Sequence, residues 1–247
     1  MTEPSDAPVA ARPRGLSLAP FRATRYTADG DSLGRLLCPP YDVIDDDLRA
    51  ALLERSADNA VQLILPNPGG DPSDEAPYQA AASTLGKWAD SGVMAVDESP
   101  ALYVYEMATA DRSVTRGLLG AVELHDYADE VILPHENTMA GPVADRLALM
   151  SATEANLEPI YLVYDGGGAA SGAVADVSGP ALVDTTTPDG TRHRLWAITD
   201  TEVHRAVEAD LAERRALIAD GHHRYATYLE LQRRRSALSG AGPWDRG

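Results

Sequence analysis

Asp220-Gly221-His222-His223-Arg224 sets a carboxylate, two imidazoles and a guanidinium around one glycine. An apolar run, Ala216 to Ala219, precedes the glycine and reads as a short buried strand. After it, Tyr225, Tyr228, Leu229 and Leu231 recur at helical spacing, so Tyr225 to Arg234 reads as a helix. A strand, a glycine turn and a helix start aim free backbone N–H groups at an anion. Titratable and phosphate-pairing groups at such a turn point to phosphate chemistry. The competing reading is a tight turn with a capping aspartate and solvated histidines.

A second stretch, Pro134-His135-Glu136-Asn137-Thr138, follows the apolar Ile132-Leu133. Gly141-Pro142 then leads into a helix expected over Val143 to Thr153, which bears Asp145 and Arg146. An imidazole and a carboxylate thus stand beside another helix start, a setting for acid–base work; the competing reading makes Glu136 and Asn137 loop polar groups and Asp145–Arg146 surface charge. Further upstream, Cys38-Pro39-Pro40-Tyr41-Asp42 holds two prolines that remove donors and pin the chain extended. Either that segment presents Tyr41 and Asp42 to a substrate pocket, or Tyr41 packs in a core. Glu106, late in its strand, is either a site residue or, on the favoured reading, a solvated strand position.

These groups need a framework. Leu16 to Tyr26 opens as an irregular strand, and Ser32 to Leu37 as a helical turn. Acids at its start and the spacing of Leu48, Leu52 and Leu53 make Asp45 to Arg55 a helix. Val61 to Leu65 (VQLIL) reads as a strand, and Asp74 to Ser91 as a helix stopped by Gly92. Leu102 to Met107 and Arg116 to Leu124 read as strands around a polar loop, and Pro159 to Tyr164 as a buried strand. Asp165 to Gly172 reads as a flexible connection without the lysine and Ser/Thr of a P-loop. Val183 to Ile198 suggests a hairpin turning at Pro188-Asp189-Gly190, and Val203 to Arg215 a helix. The fold class is therefore α/β (α+β), with mixed sheets and helices.

The chain has 247 residues and a formal net charge of −17. Such acidity repels nucleic acid and anionic membrane, so a bound anion needs a local cluster. Lys87 is the one lysine, and Cys38 the one cysteine, so no internal disulfide forms and a reducing cytoplasm is expected. No membrane span or signal peptide is read; Pro4, Pro8 and Pro13 mark 1–15 as a disordered tail. Trp244, after a glycine-proline turn with nothing left to pack on it, suggests a cut from a longer protein.

Phe21-Arg22, Pro39-Pro40-Tyr41-Asp42-Val43-Ile44, Tyr103-Val104-Tyr105, Pro134 to Thr138, Asp145-Arg146-Leu147 and Ala219 to Tyr225 stand in one order. That order resembles the domain of unknown function 1015 family of bacterial and archaeal proteins, from Leu16 onward. The second half also resembles the ParB/sulfiredoxin-like fold of free-serine kinases. There, a Pro-x-Glu loop supplies a general base and a later Asp-Gly-x-His-Arg turn holds nucleotide phosphates. Glu136 matches the first motif and Asp220 to Arg224 the second. The spacing departs from the compact fold by a long insert near 165–200.

The resemblance implies two parts: an α/β domain over 16–128 and a ParB/sulfiredoxin-like domain over 129–247, truncated at its C-terminus. It implies a nucleotide-dependent phosphotransferase acting on a small hydroxylated metabolite, with free L-serine the first candidate and ATP or ADP with Mg²⁺ as cofactors. Glu136 would be the base, with His135, Asp220 and His223 as further catalytic groups. Gly221, His222, His223, Arg224, Arg146 and Thr138 would bind phosphate. Asp220 would hold the metal, and Tyr41 and Asp42 would line the substrate pocket. Two alternatives compete: a divalent-metal-dependent hydrolase using His135, His222 and His223, and a non-enzymatic nucleotide-binding or ParB-like protein. Nucleotide and small substrate are the expected partners, with a homodimer open to the chain and no nucleic acid or membrane.

Overall fold

The computed structural model describes residues 15–239. Except for Gly15, the tail expected over 1–15 lies outside the described residues, as does Trp244. In chain order the elements are β1 (Leu18–Ala19), β2 (Thr24–Tyr26), α1 (Gly30–Gly34), α2 (Asp46–Arg55), α3 (Val61–Ile64) and α4 (Ala76–Asp90). Next come β3 (Met94–Val96), β4 (Leu102–Ala108), β5 (Val114–Leu119), β6 (Ala121–Val122), β7 (Ile132–Leu133), α5 (Ala140–Thr153) and β8 (Tyr161–Val163). The chain continues through α6 (Gly168–Ala175), β9 (Val183–Thr186), β10 (Arg192–Ile198), α7 (Thr201–Leu211), β11 (Ala216–Asp220) and α8 (His222–Ser239). Mixed α/β architecture with several small sheets is thus the fold class. Among the described residues, no helix is long and apolar enough to cross a membrane.

Two sheets matter for the site. A four-stranded antiparallel sheet has the order β5-β4-β10-β9, so strands far apart in the chain pair side by side. A three-stranded sheet has the order β7-β11-β8, with β7 parallel and β8 antiparallel to the central strand. The main core lies where these sheets meet α7 and α8, around Leu102, Ile132, Val207, Ile218 and Tyr225. Its burial of apolar surface fixes the direction in which β11 delivers the Asp220 turn.

Local chemistry explains where the elements begin. Asp45 caps α2 by accepting the Leu48 N–H, and Asp200 caps α7 by accepting that of Glu202. The 183–198 hairpin forms as expected, closed by the Thr187 N–H to the Thr191 carbonyl at 2.9 Å.

Four expectations are corrected. Val61 to Leu65 is a helical turn, α3, not a strand. Buried Asn59 decides it: its amide donates to the carbonyls of Arg35 and Leu37, while its Oδ1 accepts the Val61 N–H. Residues 165–172 are not a featureless connection, because α6 starts at Gly168. Asp210 of α7 accepts the Ala170 N–H at 2.9 Å, and a Cβ on Gly168 would meet that carboxylate. Strand β8 is an edge strand whose Tyr161 and Val163 are exposed, not a buried strand. Glu106 is 2% exposed, not solvated.

Candidate functional site

Strand β11 ends at Asp220, and Gly221 turns the chain into α8 with φ +99°, a conformation that favours glycine. A Cβ there would lie 2.9 Å from Ile160 Cγ2 and 3.2 Å from Arg224 Nε, so the turn is also closely packed. His222 and His223 are the first residues of α8. Both rings reach the 134–139 loop, which leaves β7, the parallel neighbour of β11.

His222 is the centre of this junction. Its ring is 2% exposed, and its Nε2 accepts the His135 main-chain N–H at 3.3 Å. That bond fixes the neutral tautomer with the proton on Nδ1, which faces Glu136 Oε1 at 3.1 Å. Burial lowers the His222 pKa, against the opposing pull of Glu136, and so favours the neutral ring. His135 stands edge-on to His222 with ring centroids 4.4 Å apart. His223 Nε2 accepts the Met139 N–H at 3.1 Å. Consecutive imidazoles therefore fasten both ends of a loop that is otherwise exposed from Pro134 to Ala140.

The remaining expected residues form a second cluster. Arg224 donates to Asp220 Oδ2 at 2.5 Å and to the Pro159 carbonyl, and its side chain is buried. Arg146 is also buried; it pairs with Asp145 at 2.5 Å and donates to the Ile64 carbonyl at 2.6 Å and Glu158 Oε2 at 3.2 Å. The Tyr41 ring covers the Arg146 guanidinium at 4.1 Å, and the Tyr41 N–H reaches Glu158 Oε1 at 3.1 Å. Asp42 is exposed beside it. Thr138 is exposed in the 134–139 loop.

Glu158 is the residue that sequence reasoning missed. Burial pushes its pKa up, although Tyr41, Arg146 and Arg224 all favour its charged form. The available signal was an acid directly before Pro159 at the start of an apolar run. Arg146, Glu158, Arg224 and Tyr228 line a small cavity.

The structure thus brings His135, Glu136, His222 and His223 together. It brings Tyr41, Arg146 and Glu158 together around a separate ion-paired hub, with Arg224 and Asp220 between the two groups. Among the described residues, one group of donor atoms is spaced to hold a metal ion: His135, Glu136 and His222 offer atoms within 4.8 Å of one another. Asp220 is not in that group, and neither is His223.

Residues 18–247 match the family described as protein of unknown function (DUF1015), and the chain belongs to that family. No curated protein and no solved structure matches it.

Proposed function

We propose that this DUF1015 protein is a nucleotide-dependent phosphotransferase acting on a small hydroxylated metabolite, with free L-serine the first acceptor to test. In this reading the second half has the ParB/sulfiredoxin-like fold. The observation that carries the proposal is the 3.1 Å approach of Glu136 to His222 at the first turn of α8.

The division of labour follows from the hydrogen bonds. His222 is no general base, because its Nε2 lone pair is taken by main chain. It is a positioning residue that holds Glu136. The Glu136 side chain is 52% exposed, so its carboxylate is reachable by a substrate hydroxyl. Glu136 accepts the proton of that hydroxyl as its oxygen bonds to the terminal phosphorus and the bond to the leaving nucleotide oxygen breaks. The first backbone N–H groups of α8 suit phosphate oxygens. The Arg224 fork is already spent on Asp220 and Pro159, so Arg224 shapes the turn and adds positive potential.

Mg²⁺, when bound, would neutralise phosphate charge. Asp220 fits as an oxygen donor: one carboxylate oxygen pairs with Arg224, and the side chain is 56% exposed.

A metal-dependent hydrolase is the second reading, favoured by the grouped donors of His135, Glu136 and His222; it requires the His222 ring to give up its bond from the His135 N–H, so that one nitrogen is free to ligate. Two imidazoles and a carboxylate with open positions are a ligand set for zinc or a similar ion.

One experiment separates the readings. Thermal unfolding is followed with ATP, ADP, CTP or pyrophosphate plus Mg²⁺, alongside phosphate transfer to L-serine by the wild type and Glu136→Gln. Nucleotide stabilisation and transfer that Glu136→Gln abolishes support the phosphotransferase. Equal turnover by Glu136→Gln would refute it. Stoichiometric zinc or iron in protein purified without chelator, with no nucleotide response, selects the hydrolase.

A further inference from the structure

A second set of charged residues lies on the four-stranded sheet, independent of the site above. Register places Arg194, Glu106 and Arg116 side by side on β10, β4 and β5. Their side chains share one face with Leu102, Val104, Leu118 and Trp196, because alternate residues of a strand point the same way. That face leaves the core at Leu102 and reaches solvent at Val114 and Arg192.

Glu106 is buried between the two arginines. Arg194 donates to Oε1 through Nε at 2.7 Å and also through Nη2, while Arg116 donates to Oε2 through Nε. Both guanidiniums lie near the Trp196 ring, at 5.1 Å for Arg194 and 5.9 Å for Arg116. Trp196 is itself held by its indole N–H on the Gly179 carbonyl at 3.2 Å.

One arginine gripping Glu106 with two donors would already compensate the buried carboxylate. The second is in excess. Arg116 spends only its Nε, so its two Nη groups have no partner among the described residues, and Arg194 keeps Nη1 free. Their side chains are 35% and 29% exposed, so these donors reach solvent. Next to them Arg192 pairs with Asp184 at 2.5 Å. The face therefore sets Arg116, Arg192 and Arg194 against Glu106 and Asp184, a surplus of one positive charge in a chain of net −17.

We propose that Arg116 and Arg194, held by Glu106 over Trp196, bind the phosphate or carboxylate group of a small molecule. Glu106 is then a positioning residue: it fixes both planar cations so that little side-chain freedom is lost when an oxyanion arrives.

The test is an NMR titration of the protein with inorganic phosphate or acetate, against chloride at equal ionic strength. It follows the Trp196 indole N–H, assigned with Trp196→Phe, and the arginine Nε–H signals. Saturable movement of the Trp196 and Arg116 signals is expected, with a dissociation constant on the order of 1 mM. Arg116→Gln leaves the Arg194–Glu106 pair intact and should weaken binding about tenfold. Tighter binding of phosphate identifies a phosphate-bearing ligand, and tighter binding of acetate a carboxylate-bearing one. Signals unmoved by either anion, or affinity unchanged in Arg116→Gln, would overturn the proposal. Neither result depends on phosphotransfer, so failure here leaves the reading of Glu136 untouched.

Discussion

His222 accepts the main-chain N–H of His135 through one ring nitrogen and faces Glu136 with the other. A buried imidazole bonded to that amide and in contact with that carboxylate is a joint. It couples the start of α8 to the 134–139 loop, and through β7 and β11 to the core.

Replacing this ring therefore tests joint and chemistry together. His222→Phe keeps a planar buried side chain but leaves the His135 N–H without its acceptor. His135 is exposed, so that N–H turns to water and only the hydrogen bond is lost, at about 0.5–1.5 kcal/mol. Urea unfolding should show a loss of that size, and hydrogen exchange should show faster exchange at the His135 amide. Unchanged exchange at that amide would mean that His222 does not hold the loop.

Gly221 tests the turn from the backbone side. Its φ of +99° and the 2.9 Å approach to Ile160 Cγ2 leave no room for a methyl group. Gly221→Ala should cost about 1–3 kcal/mol of stability, as a strained backbone position does. The added Cβ also presses on Arg224, so phosphate transfer should fall with it if the turn binds phosphate. A variant as stable as the parent in urea would show that the turn relaxes freely.

What the sequence made legible follows the range of the forces involved. The helices α2, α4, α5 and α7 announce themselves through acidic starts, flanking glycine or proline and apolar spacing, which are local. So does the 183–198 hairpin, whose turn residues are explicit. The misreadings have partners far along the chain: Asn59 accepts the Val61 N–H of α3 while tied to Arg35 and Leu37, and Asp210 accepts the Ala170 N–H in the first turn of α6. Glu106 and Glu158 share that cause. Each looked like an ordinary acid until Arg116 and Arg194, or Arg146 and Tyr41, arrived from other elements. Within the site, the His135–Glu136 and His222–His223 pairs were visible as motifs; their hydrogen bonds were not.

Glu158 makes a prediction in pH. Its folded pKa is raised by burial, so the folded protein binds this proton more tightly than the unfolded chain does. The stabilisation it gives is complete below the ordinary carboxylate value of 4.5 and is lost as pH rises through the folded value. Glu158→Gln cannot ionise. Subtracting its stability curve from that of the wild type, by urea unfolding at a series of pH values, should give a difference that falls over this window. A difference that rises with pH would reverse the sign and show that the arginines outweigh burial.

Glu106 should behave in the opposite sense. Burial pushes its pKa up, but the hydrogen bonds from Arg194 and Arg116 outweigh that and hold it below the usual carboxylate range. Its stabilisation is present above the unfolded value and disappears as pH falls through the folded one. Glu106→Gln keeps the shape and removes the charge, leaving two guanidiniums facing each other. Both are partly exposed and turn to water, so the cost is that of lost charged hydrogen bonds, about 1.5–3 kcal/mol, and not the larger penalty of a stranded buried ion. Chemical unfolding at neutral pH measures that loss. The gap between wild type and variant should then close on acidification, because protonation of Glu106 reproduces the substitution. A gap constant with pH would mean that shape, and not charge, is what the arginines recognise.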